Sequence, residues 1–113
     1  SIGKLGTANS EFKKPHDVAL DSQGNLYVAD TENHRIQIFN NKNQFILSFG
    51  KFGENEGAFH FPTAISVNDK KEKWSRYKDN VIFIIDLDHT RIQKFDLKGK
   101  FLKSIRKPRR RNT

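Results

Sequence analysis

The chain has 113 residues, of which 35% are hydrophobic and 30% charged, with ten Phe, no Cys and no Met. This composition is too apolar and aromatic for a disordered protein, so we expect a packed core in a chain of one domain's size. The lack of Cys excludes disulfides, thiolate metal sites and Cys nucleophiles, and no apolar run is long enough to span a membrane. Because the sequence starts at Ser1 and contains no Met, we expect a processed or truncated N-terminus.

The net charge of +8 is concentrated at the C-terminal end. Seven of the 21 basic residues and none of the 13 acidic ones lie from Lys100 onward, which leaves 14 basic and 13 acidic residues in positions 1–99. The body is therefore nearly neutral, and the charge does not make the whole protein a nucleic-acid binder. Residues 107–113, with Arg109, Arg110 and Arg111, are expected to form a basic disordered tail. Such a tail attracts phosphates, anionic lipids or acidic proteins by charge, or is simply a solvated terminus.

The sequence repeats itself with a period of about 50 residues. Pro15 aligns with Pro62 at an offset of 47, and beyond residue 68 the offset becomes 56, so the second copy carries nine extra residues. The stub at residues 1–6 matches residues 48–53 at the first offset. The chain therefore contains the end of one repeat and two full copies.

Each copy is predicted to contain four short strands. In the first copy they cover residues 17–21, 26–30, 35–39 and 45–49, which are rich in β-branched and aromatic side chains. Turn residues separate them, and Gly24 is available for a positive φ. No segment shows helical periodicity. Four strands in each repeat of this length predict an all-β protein built from β-propeller blades of four antiparallel strands.

The motifs of the first copy resemble the NHL repeat. They are Phe12-x-x-Pro15, Gly24-Asn-Leu-Tyr-Val-Ala-Asp-Thr31 and Asn33-His-Arg-Ile-Gln-Ile-Phe39. The second copy is similar more loosely, through Phe59-x-x-Pro62, Asp86 and Arg91-Ile-Gln-Lys-Phe-Asp96. The resemblance implies an NHL-type propeller, a family with about six blades, whereas two blades cannot close a ring. Either the chain belongs to a longer propeller, or several copies assemble, three of them giving six blades.

The resemblance also implies a division of the chain and a common face. We expect the end of a preceding blade at 1–11, blade 1 at 12–58, blade 2 at 59–106 with an insert at 69–79, and the tail at 107–113. In the family's geometry, the loops that enter the first strand of a blade and those that join its second and third strands share one face. Here these are residues 12–16, 30–34, 59–62 and 86–90, while the insert lies on the opposite face.

His16 is the sharpest candidate for a metal ligand. The run Pro15-His16-Asp17-Val18 is similar to a ligand segment of the amidating lyases, NHL-class enzymes that hold zinc with channel-facing His residues. Zinc needs three or four converging ligands. Thr63 stands at the equivalent place in the second copy, so further ligands would have to come from other blades or chains. The alternative is a polar turn residue and no cofactor.

His34 and His89 lie in the loops between second and third strands, next to Arg35 and Arg91. They form a candidate rim site for a ligand or metal, with ordinary loop polarity as the alternative. The two His are offset by one residue between the copies, which makes a poor metal motif.

Asp30 and Asp86 recur in both copies, as do Pro15 and Pro62. Chemistry rarely needs the same group in every repeat, so we expect structural roles for these residues. In particular, each Asp should bond the backbone of a turn, with the following Arg bracing it.

The insert carries Trp74, Arg76 and Tyr77, a mixture that suits a protein contact or a stacked base, or that decorates a surface loop. Together these observations favour a scaffold that binds a protein or peptide, with RNA as the next partner. The competing class is a zinc-dependent peptidyl-hydroxyglycine lyase. Enzymatic activity and cellular compartment are left open.

Overall fold

The computed structural model describes residues 4–6, 8–53, 55–69, 80–86 and 91–106. This part of the chain contains ten β-strands and one turn of 3-10 helix at Thr31–Asn33. The strands are β1 Lys4–Leu5, β2 Glu11–Phe12, β3 Asp17–Leu20, β4 Leu26–Asp30, β5 Arg35–Phe39, β6 Phe45–Phe49, β7 Ala64–Asn68, β8 Val81–Asp86, β9 Arg91–Asp96 and β10 Phe101–Arg106. Within the described ranges, no helix has the length and apolarity that crossing a membrane requires.

The strands form two four-stranded antiparallel sheets in simple sequence order, β3-β4-β5-β6 and β7-β8-β9-β10. These two sheets confirm the predicted all-β blades. The blades meet along their first strands, where the Ile65 N–H donates a hydrogen bond to the Asp17 carboxylate (3.0 Å). β3 and β7 are therefore the inner strands, and the two blades form an incomplete ring.

The first strand of blade 1 ends at Leu20, one residue before the predicted end. The Asp21 carboxylate accepts hydrogen bonds from the N–H groups of Gln23 and Asn25, both at 2.9 Å. This geometry takes Asp21 out of the ladder and into the turn. Gly24 has a φ of +83° in that turn, as its sequence context predicts.

The main core lies between the two blades. Strand residues alternate between faces, so every second side chain of blade 1 points toward blade 2. The buried members are Tyr27, Ala29, Ile36, Ile38, Phe59, Ile65, Ile82, Ile84 and Phe95. A second cluster, Phe12, Val28 and Phe39, covers the other flank of blade 1. Each blade is thus apolar on both faces, as the layers of a propeller must be.

The repeat shows what the outer flanks lack. Ile65, between the blades, is 7% exposed, whereas its counterpart Val18 on the outer flank of blade 1 is 55% exposed. Likewise Ile36 is fully buried, but its counterpart Ile92 on the outer flank of blade 2 is 40% exposed. Both open flanks therefore expose apolar residues at positions that are buried where the two blades meet.

The connections that enter the two blades are built alike. Leu5 pairs with Phe12, and Phe52 with Phe59, both through parallel bridges. In both cases the N–H of the following glycine donates to the Phe carbonyl oxygen at 3.0 Å. The N-terminal stub thus has the backbone geometry of the connection between blades 1 and 2.

Candidate functional site

The loops at one end of the blades lie together and form a continuous surface. The Glu32 N–H donates to the Lys13 carbonyl oxygen (3.1 Å), and the Thr31 hydroxyl donates to the Pro62 carbonyl oxygen (2.6 Å). These bonds join the blade 1 inlet, its 3-10 turn and the blade 2 inlet. We call residues 13–16, 31–34, 50–53 and 60–63 the loop face.

A buried polar network holds the loop face in blade 1. Asp30 is fully buried, and its carboxylate accepts hydrogen bonds from the Lys13 N–H (2.7 Å), the Asn33 amide (2.9 Å) and Arg35 Nε (2.9 Å). The buried Gln37 amide donates to the Glu11 carbonyl oxygen at 2.6 Å. Asp30, Arg35 and Gln37 therefore hold the incoming chain in place, and we call this set of side chains the clamp of blade 1.

Blade 2 contains the same clamp. The Asp86 carboxylate, also fully buried, accepts hydrogen bonds from the His60 and Phe61 N–H groups and from Arg91, the last at 2.6 Å. The Gln93 amide donates to the Ala58 carbonyl oxygen at 2.6 Å. The carboxylates of both copies are thus enclosed and occupied by fixed donors.

The two arginines of the predicted rim site also bond to the backbone. Arg35 donates to the carbonyl oxygens of Ala8 and Glu11 at 2.8 Å, and Arg91 donates to that of Ala58 at 2.9 Å. The Arg91 side chain is only 2% exposed. Any role of Arg91 toward a ligand would need the clamp to open.

Four aromatic rings meet on the loop face where the two blades join. The His34 ring lies 4.7 Å from Phe52 and 5.1 Å from Phe61 between centroids, and the His60 ring lies 4.5 Å from Phe61. His34 has a left-handed backbone (φ +55°), and its Nδ1 bonds to the His60 carbonyl oxygen. Phe52 is 62% exposed and Phe61 36% exposed. We call His34, Phe52, His60 and Phe61 the aromatic patch.

Of these four residues, the sequence analysis singled out only His34. A signal was nevertheless present in the repeat. His60 and Phe61 occupy the positions of Lys13 and Lys14 in the first copy. An aromatic pair where the other copy carries exposed lysines marks a departure from what the blade itself requires.

His16 lies exposed at the entry to the inner strand β3. Its N–H donates to the Ala29 carbonyl oxygen (3.2 Å), as the Thr63 N–H does to that of Ile85 (3.0 Å). Among the residues that the structure describes, no group of three or more His, Cys, Asp or Glu side chains is placed to hold a metal ion. The described residues therefore do not give His16 a set of three such ligands.

Several predicted site residues lie outside the described residues. They are Trp74, Arg76 and Tyr77 of the insert, His89 of the second blade, and Arg109, Arg110 and Arg111 of the tail. For them the sequence-based predictions stand as predictions. Of the two prolines, Pro62 is buried and Pro15 exposed.

The opposite end of the blades contains a cleft of about 430 Å³. The Tyr27 hydroxyl donates to the Asp21 carboxylate there (2.8 Å), and the Ser22 hydroxyl donates to Asp69 (2.7 Å). Burial and the Asp21 carboxylate raise the pKa of Tyr27. Burial alone would raise the pKa of Asp21, but hydrogen bonds, notably from Asn25, outweigh it and leave that pKa lowered. Both carboxylates of this cleft, Asp21 and Asp69, thus accept hydrogen bonds from neighbouring side chains.

Fold and loop geometry define a segment of a β-propeller with two blades, and comparison with known proteins agrees. A solved Bacteroides fragilis protein, described as exported, superposes on 95% of the chain with a TM-score of 0.67 at 18% identity. The chain covers 27% of that structure. At this identity the likeness shows the fold.

Sequence comparison supplies the family. The family described as NHL repeat matches residues 12–39. The chain is 37% identical over 66 residues to the protein brain tumor of Drosophila melanogaster, covering 58% of the chain and 6% of that protein. It is also 31% identical over 112 residues to peptidyl-alpha-hydroxyglycine alpha-amidating lyase 2 of Drosophila melanogaster, covering 93% of the chain and 25% of the lyase. Residues 12–39 are therefore an NHL repeat, as the motifs of the first copy predicted, and the chain spans a quarter or less of the length of these two relatives.

Proposed function

We propose that this chain is part of a propeller that binds a protein or peptide on its loop face. The observation that carries the proposal is the exposed aromatic surface at Phe52 and Phe61, set on loops that two buried clamps hold in place. A fixed backbone lowers the ordering cost of binding. Exposed apolar groups on a rigid loop surface are typical of protein contacts.

Further blades complete this surface in the proposal, either from a longer chain or from other copies of this one. The open flanks at Val18 and Ile92 support such neighbours, because their counterparts between the two blades are buried.

Peptide selection tests the proposal. A random dodecapeptide library displayed on phage is selected on the immobilised protein, and the enriched peptides are synthesised and titrated. We expect their binding to weaken in Lys13→Glu and His16→Glu, which alter the loop face. It should persist in Lys98→Glu, which alters the opposite end. Failure to enrich any peptide, or equal loss in all three variants, would contradict loop-face binding.

The amidating-lyase relative, which aligns with 93% of the chain, favours a second candidate function. In this alternative His16 supplies one imidazole ligand to zinc, and other blades supply the rest. Of the zinc ligands that this alternative needs, the described residues offer His16 as the candidate. Metal content of the assembled protein tests it: bound zinc should fall in His16→Ala and persist in the loop-face control His34→Ala. Absence of zinc from the protein, or full retention in His16→Ala, would refute the lyase assignment.

A further inference from the structure

The exposed apolar residues fall into two groups, and a neighbouring blade would cover only the first. Val18 and Ile92 lie on the sheet flanks, where another blade would cover them as blade 2 covers blade 1. Phe52 and Phe61 instead lie in the connection between blades 1 and 2, and both of these blades are already in place. Completing the ring therefore leaves the two Phe side chains exposed.

The internal repeat shows that the blade itself does not require these rings. Lys14 occupies the place of Phe61 in the first copy and is exposed there, with its ammonium 3.3 Å from the Glu32 carboxylate. Both copies nevertheless hold the inlet through the equivalent N–H groups of Lys13 and His60, which donate to Asp30 and Asp86. The Phe61 N–H adds a second bond to Asp86 in blade 2. The aromatic pair at 60–61 is thus not needed for this shared bond, which the first copy forms with lysines at both positions and with a left-handed backbone at Lys14 (φ +52°).

We propose that the aromatic patch is the anchor site for an apolar side chain of a protein partner, flanked in that partner by acidic residues. The inference rests on the proposed function and names the anchor within the loop face. Phe is among the aromatic residues that are enriched at protein interfaces. Exposed Lys51 precedes Phe52, and exposed Lys13 lies on the blade 1 inlet. Glu32, the acidic residue of the loop face, is paired with Lys14 at 3.3 Å, so the remaining charge of this surface is positive. Charge complementarity then selects acidic residues beside the anchor.

The ring geometry favours a side-chain anchor over a nucleobase. The ring planes of His34 and Phe52 meet at 66°, those of His60 and Phe61 at 63°, and those of Phe52 and His60 at 46°. Inclined rings present edges as well as faces, which suits contact with a branched aliphatic, proline or aromatic side chain. They do not form the flat platform on which successive bases stack. The nearly neutral body also provides little attraction for a phosphate backbone.

The peptides from the dodecapeptide library test this inference through their composition and their sensitivity to substitution. We expect a consensus with one or two aliphatic, proline or aromatic residues next to Asp or Glu. A synthetic consensus peptide, followed by fluorescence anisotropy, should bind at least tenfold more weakly to Phe52→Ala and to Phe61→Lys. The second change installs the residue of the first copy, so the fold should tolerate it, which thermal unfolding verifies.

Leu102→Ala is the matched control, because Leu102 is 45% exposed but lies on the outer strand β10. Its affinity for the consensus peptide should equal that of the unaltered protein. Peptides that lose binding in Lys13→Glu and His16→Glu but bind Phe52→Ala and Phe61→Lys normally would overturn the anchor site and leave loop-face binding intact. A basic consensus would overturn the charge assignment. A library that yields no peptide would contradict both proposals, and tight binding of a U12 oligoribonucleotide lost in Phe61→Lys would make the partner RNA.

Discussion

Replacing the arginine of each clamp by methionine should reveal how strongly the fold depends on the buried charge pair. The Arg91 side chain is 2% exposed and donates to the fully buried Asp86 at 2.6 Å. Arg91→Met keeps much of the side-chain volume but removes a donor from the buried Asp86 carboxylate. Among the described residues, the His60 and Phe61 N–H groups would then remain as its donors. Breaking a buried pair on one side costs about 3–5 kcal/mol.

The first copy supplies the matched comparison. In Arg35→Met the Asp30 carboxylate keeps three other donors, from Lys13, Asn33 and Gln37, and the Arg35 side chain that is removed was 13% exposed. We therefore expect a smaller loss, about 1.5–3 kcal/mol, typical of hydrogen bonds to a charged group.

Urea unfolding followed by far-UV circular dichroism measures both variants as a change in the transition midpoint at constant slope. The reasoning predicts that Arg91→Met loses more free energy of unfolding than Arg35→Met. If Arg35→Met were equally or more destabilising, the remaining donors of Asp30 would not compensate as argued. If both variants were neutral, the clamps would not have the structural role assigned to them.

Three further outcomes are expected. Tyr27→Phe should lower the free energy of unfolding by about 1 kcal/mol, because Asp21 loses a donor. Since the pKa of Asp21 is lowered from 3.8, its stabilisation is present above that pH and is lost as pH falls through the folded value, so the variant should show a weaker loss of stability in acid. Gly50→Ala should unfold the connection, because its φ is +104° and a Cβ would lie 2.5 Å from the Phe59 ring; greatly increased amide exchange in residues 50–59 would show this, and native exchange rates would refute it. Deleting residues 107–113 should abolish the salt-sensitive binding of RNA, measured by fluorescence anisotropy, while peptide binding persists. If RNA binding survives the deletion, the RNA-binding surface lies on the blades instead.

The blades and the clamps could be predicted from sequence because they depend on local patterns that occur twice. Short runs rich in β-branched and aromatic residues, separated by turn residues, predicted β4, β5 and β6 of blade 1 to the residue. The recurring Asp30 and Asp86 drew attention to the turns. The end of β3 was predicted one residue too late because the Asp21 carboxylate bonds to the backbone of the turn, and strand propensity does not account for such side-chain bonds.

The aromatic patch could not be assembled from the sequence. It depends on the meeting of three segments, at 34, 52 and 60–61, that are brought together only when the connection crosses from one blade to the next. The left-handed backbone of His34 directs its ring there, and no periodicity marks such a position. The same holds for the cleft at the other end, where Ser22 and Asp69 are 47 residues apart.

The central claim, that the loop face is the binding surface, is tested most directly by hydrogen exchange of the protein with and without the selected consensus peptide. The account predicts slowed amide exchange at residues 50–53 and 60–61, with no change in the turns at 21–25 and 96–100. Protection of those turns, with unchanged exchange on the loop face, would contradict it.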